Sequence, residues 1–251
     1  MRTRSTVGSD DRAVSDVVGY VLIFSLITIS VGVITVGGFS TLEDRQDAER
    51  INNAERAFDV LAANVEDVYR GGAPSRATEM QLSGGTLQYG DRVNITIEDG
   101  SSRSLTVSPR PLIYEDAGTE IVYITGAIIR SDGGNSVMLR DPPFRPGSSV
   151  GSFPIITTFH TAGSTTVSTE GIVRITSEAR RVNTTTPAEF GDDTGSYTIK
   201  IESSYETAWR QYFESHPGFS DVSVSDDAVE ADIAPSRIVA PRFPVRLFVS
   251  G

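Results

Sequence analysis

Hydrophobic and polar positions divide the chain into three stretches of different period. From Val17 to Phe39 (VVGYVLIFSLITISVGVITVGGF) there is no charged residue. At about 1.5 Å per residue such a run, as a helix, reaches roughly 35 Å, enough to cross a hydrocarbon core of about 30 Å with some tilt. It exceeds the apolar core of about 7–15 residues found in a cleaved secretory signal, and an amphipathic pattern follows where the cleaved end would stand. The run therefore predicts a membrane helix that stays in the mature protein.

From Thr41 the period changes. Ile51, Ala54, Phe58, Leu61, Val65 and Val68 recur at spacings of three and four and fall on one helical stripe, until Gly71-Gly72 and Pro74 stop it. No proline separates the two segments, so Val17 to about Arg70 predicts one long helix, membrane-spanning in its first half and amphipathic in its second. The stripe is too short for a sustained coiled coil and predicts packing on a sheet.

Beyond Thr78 the period falls to two. Val93, Ile95 and Ile97, and Tyr197, Ile199 and Ile201, alternate cleanly, and strand candidates such as Arg92–Ile97 and Glu120–Ile129 are separated by turn signals at Gly84-Gly85, Asp99-Gly100 and Asp132-Gly133-Gly134. One helix interrupts them: Ser203–Glu214, with a serine cap and with Tyr205, Trp209 and Tyr212 on one face. That aromatic face predicts docking on a sheet, with sugar or partner binding as the alternative. The fold class is α+β: a long N-terminal helix packed on a predominantly antiparallel β outer domain, a β-sandwich or layered sheet. The expected parts are a leader (1–13), a transmembrane helix (14–40), an amphipathic helix (41–72) and a β-rich extracellular domain (73–251).

Composition changes the picture in three ways. There is no cysteine, so the domain stands on packing without disulfides or thiolate metal sites. Acidic residues outnumber basic ones 33 to 22, for a net charge of −11, which argues against a nucleic-acid partner. Lys200 is the only lysine; with the acidic balance this resembles the proteins of salt-loving archaea. Arg2, Arg4 and Arg12 precede the span and Arg45 and Arg50 follow it, a bias that places the N-terminus inside and the large domain outside the cell.

Candidate chemistry is sparse. Gly147-Ser148-Ser149-Val150-Gly151 matches the G-x-S-x-G of hydrolases, but it follows a proline-broken loop and no helix comes after it. His160 and His216 lack metal-ligand spacing, as do the pairs Asp192-Asp193 and Asp226-Asp227. No catalytic residue, cofactor or metal is expected. Asn94-Ile95-Thr96 and Asn183-Thr184-Thr185 are sequons, so Asn94 and Asn183 are candidate glycosylation sites. Thr28 and Gly32, four apart in the span, offer a small-residue contact between helices.

Asp11-Arg12-Ala13-Val14-Ser15-Asp16-Val17-Val18-Gly19 resembles the class III signal of archaeal type IV pilins, in its haloarchaeal form. The stretches Asp47–Arg76 and Tyr205–Phe213 are similar to haloarchaeal pilin-like membrane proteins. The resemblance implies that a prepilin peptidase reads Arg12 and Ala13 and cuts before Val14. It also implies that other pilin-like subunits, besides membrane lipid, are partners through the N-terminal helix. Asp16 stands where haloarchaeal pilins usually carry proline, and the polar domain is larger than in most major pilins. The expected role is therefore a minor pilin or filament-associated surface protein, with a tethered adhesion module that does not polymerise as the alternative.

Overall fold

The computed structural model describes residues 10–100, 103–159, 166–179, 188–190, 196–225 and 228–250. It falls into two compact units, Met1–Glu49 and Arg50–Gly251. Helix α1 (Asp10–Tyr69) begins in the first. The body then runs through β1 (Ser75–Tyr89), β2 (Asn94–Asp99), β3 (Ser104–Val107), β4 (Leu112–Asp116), β5 (Thr119–Ile124), β6 (Ala127–Asp132) and β7 (Asn135–Arg140). The short β8 (Arg145–Pro146), β9 (Val150–Ser152) and β10 (Ile155–Phe159) come next, then β11 (Thr166–Ala179), β12 (Ala188–Phe190) and β13 (Tyr197–Glu202). Helix α2 (Glu206–Ser215) precedes β14 (Ser220–Ser225), β15 (Ala228–Ile233), β16 (Arg237–Ala240) and β17 (Arg242–Ser250).

The strands form an eight-stranded sheet in the order β10-β17-β11-β1-β4-β5-β6-β7, a five-stranded sheet β14-β15-β13-β2-β3 and a four-stranded sheet β12-β16-β9-β8. Pairing is antiparallel except for β10 with β17 and β16 with β9. The α+β class and the antiparallel, β-rich body expected from the sequence are therefore present.

Strand alternation divides the core in two. Leu112 and Tyr114 on β4 and Ile121 and Tyr123 on β5 join the cluster that holds Phe58, Leu61 and Val65 of α1. Their neighbours Ile113, Val122 and Ile124 join a second cluster with Ile95, Ile97, Ile199 and Ile201 of the five-stranded sheet and Trp209 and Phe213 of α2. The large sheet is thus apolar on both faces, one receiving the amphipathic stripe. All six predicted stripe positions are buried, and each large side chain so covered contributes about 1.5–3 kcal/mol.

Acids flanking that stripe are tied to arginines on the sheet. Glu55 meets Arg130 at 3.0 Å, Asp59 and Glu66 meet Arg140 at 2.7 and 3.0 Å, and Asp67 meets Arg76. Arg50 reverses the polarity, reaching Asp116 at 3.0 Å. Exposed pairs contribute about 0–1 kcal/mol each, so the stripe supplies the energy and the pairs fix where the helix lies along the strands.

Two sequence expectations are corrected. Gly84-Gly85 is no turn: β1 runs through it with a shift of register against β11 between Ser83 and Thr86. Gly85 lies on the Tyr114 ring, where a Cβ would come within 2.4 Å, so the glycine serves packing. Glu120–Ile129 is not one strand but parts of a hairpin, because Thr125 (φ 45°) and Gly126 (φ 91°) both adopt left-handed backbone between the paired Ile124 and Ala127. Two left-handed residues make the tight turn whose twist matches paired strands. Ala117-Gly118 and Gly133-Gly134 repeat it, so β4 to β7 form a meander closed by three like turns.

Candidate functional site

The first candidate is the apolar segment. Residues Ser15–Thr35 form a helix long and apolar enough to cross a membrane, and none of it is buried. Two of its hydroxyls are satisfied within the helix, Thr28 Oγ1 donating to the Phe24 carbonyl and Ser30 Oγ to that of Leu26, each at 2.8 Å. Such bonds back to the helix spare those two hydroxyls the cost of standing unpaired in hydrocarbon. No atom lies within 4 Å of where a Gly32 Cβ would stand. Arg12, Ala13 and Val14 fall in α1, with side chains outside the described set, and Asp16 is exposed.

The second is a cleft of about 470 Å³ in the body. One wall is Gly90–Val93, the link between β1 and β2. It is fastened to the proline-flanked segment opposite by Gly90 N–H to the Pro111 carbonyl and Val93 N–H to that of Pro109, both 3.0 Å, and by Arg92 Nη1 to the Ser108 carbonyl at 3.2 Å. Only glycine allows so close an approach at position 90, where a Cβ would stand 2.6 Å from Ile113 Cδ1. The other wall is Glu202–Tyr205, where Ser203 Oγ accepts from the Tyr205 N–H at 3.2 Å as the chain turns into α2; the expected serine cap is not formed, since Tyr205 holds the N-cap position without a side-chain bond. Val93, Ile113 and Tyr205, each no more than 7% exposed, supply the apolar part of the lining.

The tyrosines of the cleft are tied into the body. Tyr89 donates its hydroxyl to the Leu247 carbonyl at 3.1 Å, and Tyr205 donates to Glu120 at 3.0 Å. Burial pushes the Tyr89 phenol up to about 12, and burial, then the charge of Glu120, raises that of Tyr205. Glu202 accepts from Asn94 Nδ2 at 2.7 Å and faces Lys200 at 3.5 Å, and these two hold its carboxyl below the usual range.

Burial likewise pushes the Tyr114 phenol up to about 12 and raises Tyr123 and Tyr212. A tyrosine ionises near 10 in the unfolded chain, so these raised values favour folding fully below pH 10, and that contribution is lost as pH climbs from 10 through 12. Alkaline titration followed by tyrosinate absorbance and Trp209 emission is therefore expected to show these phenols ionising together with unfolding. Ionisation of all tyrosines near pH 10 with native emission would contradict it.

The remaining sequence candidates are placed as follows. Ser149 is exposed between β8 and β9 and is followed by a strand, so the strand-to-helix turn of a nucleophile elbow is not formed. His160, Asn183 and the two aspartate pairs lie outside the described residues. Asn94 uses its side-chain amide on both ends, donating to Glu202 and accepting from Ser108 Oγ at 2.7 Å, so a glycan on Nδ2 would displace Glu202. The aromatic face of α2 docks into the core, with Trp209 fully buried and Tyr205 and Tyr212 nearly so.

Sequence reasoning missed the contacts of His216, which lies within 3.1 Å of Asp141 and 3.2 Å of Ser215 Oγ. The Tyr212 carbonyl, 2.8 Å from Nδ1, can only accept, so Nδ1 carries the proton and cannot draw one from Ser215. The group closes the end of α2. Asp91 and Arg92 were also missed as a site, because the alternation from Val93 drew attention to the strand. An acid and a base side by side after a glycine were the available signal.

Fold and sites together define a β-rich protein carried on a helix of membrane-spanning length and composition. The chain belongs to a family described as of unknown function (DUF7289), whose profile matches residues 12–247. An uncharacterized protein of Archaeoglobus fulgidus is 30% identical over 76 residues, 30% of this chain and 25% of that protein. The match thus spans a quarter of that relative's length. No solved structure matches the chain.

Proposed function

We propose that the protein is a membrane-anchored, pilin-like component of an archaeal cell surface with a structural or assembly role, as a minor pilin or filament-associated subunit. The observation that carries this reading is the apolar helix Ser15–Thr35, long enough to cross a membrane and with none of it buried. In this reading lipid covers the helix first and the helices of other pilin-like subunits cover it after assembly, approaching closely at Thr28 and Gly32. A prepilin peptidase removes Met1–Ala13, and Asp16, third in the mature chain, offers its carboxylate to the new α-amine of a neighbouring subunit. The body lies outside the cell, its large and five-stranded sheets stacked as a sandwich, with Asn183 rather than Asn94 as the glycosylation site.

The test is the mature N-terminus of protein taken from membranes. Val14 is the expected first residue, and Arg12→Ala is expected to block maturation. An intact leader, or a cut beyond Phe39, overturns the pilin-like route. The body cleft favours a second reading, a tethered binding module that never polymerises. Recovery in sheared surface filaments supports the first reading, and recovery in membranes alone the second.

A further inference from the structure

We propose that the cleft between Gly90–Val93 and Glu202–Tyr205 binds a neutral carbohydrate, a mono- or disaccharide unit of a larger glycan. The inference goes beyond the proposed function: it concerns the body alone and stands whether or not the apolar helix assembles with others.

Three observations lead to it. The first is which polar groups are left over. Among the described residues Asp91 and Ser204 make no hydrogen bond or ion pair, and Arg92 commits Nη1 to Ser108 while its other N–H groups remain. A carboxylate that only accepts, a guanidinium that only donates and a hydroxyl that does both match neighbouring sugar hydroxyls, each of which must give one hydrogen bond and can accept others.

The second is the lining between them. Val93, Ile113 and Pro111 with Tyr89 and Tyr205 present apolar surface beside the polar groups. A pyranose likewise has apolar C–H faces and a polar rim, and a cleft of about 470 Å³ suits a small ligand. The walls are fixed beforehand by the contacts of Gly90, Val93, Arg92 and Ser203, so binding orders little of the protein.

The third is charge. Asp91 and Glu202 line the cleft, and Glu115 and Glu120 are bonded to two other lining residues, Gln88 and Tyr205. Such a field repels phosphate and carboxylate ligands, while Arg92 beside Asp91 opposes a cation. A neutral, hydroxyl-rich ligand is what remains.

Saturation-transfer NMR on the full chain, in a detergent without a sugar headgroup, tests this directly. The probes are glucose, galactose, mannose, N-acetylglucosamine and their disaccharides, with glucosamine and glucose 6-phosphate as charged counterparts. At least one neutral saccharide is expected to give saturable transfer, with the charged counterparts weaker. Asp91→Ala, which removes no contact within the protein, is expected to raise the Kd roughly tenfold or more while Trp209 emission stays native. The proposal is overturned if no neutral saccharide saturates, if glucose 6-phosphate or glucosamine binds tighter than the neutral sugars, or if natively folded Asp91→Ala and Arg92→Gln bind as the parent does.

Discussion

Replacing Phe58 with alanine lowers the unfolding free energy of the body by about 3–5 kcal/mol. Phe58 is fully buried at the centre of the stripe that α1 lays on the large sheet, among Leu61, Leu112 and Tyr114 in one cluster. Removing the ring costs its transfer free energy and leaves a cavity that strands on one side and a helix on the other cannot close. Denaturant unfolding of the full chain in detergent, followed by Trp209 emission, reads the loss. Trp209 sits in the other cluster, so a shifted midpoint also shows that the two clusters unfold together. Val60→Ala is the control: Val60 is 52% exposed on the same helix, and its loss is expected to change stability by less than about 0.5 kcal/mol. Equal effects of the two variants would mean that the helix is not held by its buried stripe.

The second large effect belongs to the apolar segment. Ile23→Arg combined with Ile27→Arg places two charges one turn apart near the middle of the span, each costing about 2.5–3.5 kcal/mol on an insertion scale. The double variant is expected to leave the membrane fraction in carbonate extraction. Thr28→Val with Ser30→Ala, which removes hydroxyls already tied to the Phe24 and Leu26 carbonyls, is expected to remain there. A double arginine variant that stays fully integrated would show that this segment is not what holds the protein in the bilayer.

Legibility of the fold tracked the length scale of the interaction. The stripe from Ile51 to Val68 was readable because burial repeats with the helical period, and α2 was readable for the same reason. The meander from Leu112 to Arg140 was half hidden. Thr125-Gly126 and Ala117-Gly118 carry the left-handed geometry of Asn-Gly or Asp-Gly turns without their first residue. The acids beside the stripe show no partner locally, yet Glu55, Asp59 and Glu66 face strand arginines more than 70 residues along the chain. No local pattern announces a partner that only the strand order brings near. The cleft was hidden similarly, since its walls are more than a hundred residues apart and only the β2–β13 pairing sets Asp91 and Ser204 on either side of it.

The place of β17 has a consequence for how the chain is made. This strand is not at an edge of the large sheet: it lies between β10 and β11, parallel to one and antiparallel to the other. The β4–β7 meander needs only its own neighbours and can pair as soon as it is synthesised, whereas β10 and β11 present open edges until Arg242–Ser250 arrives. A ribosome stalled short of that point, or a translocation channel that releases the chain early, leaves two unpaired strand edges open to aggregation. Arg242–Ser250 thus acts as the closing stave of the sheet, and the body is complete only once that segment has been delivered.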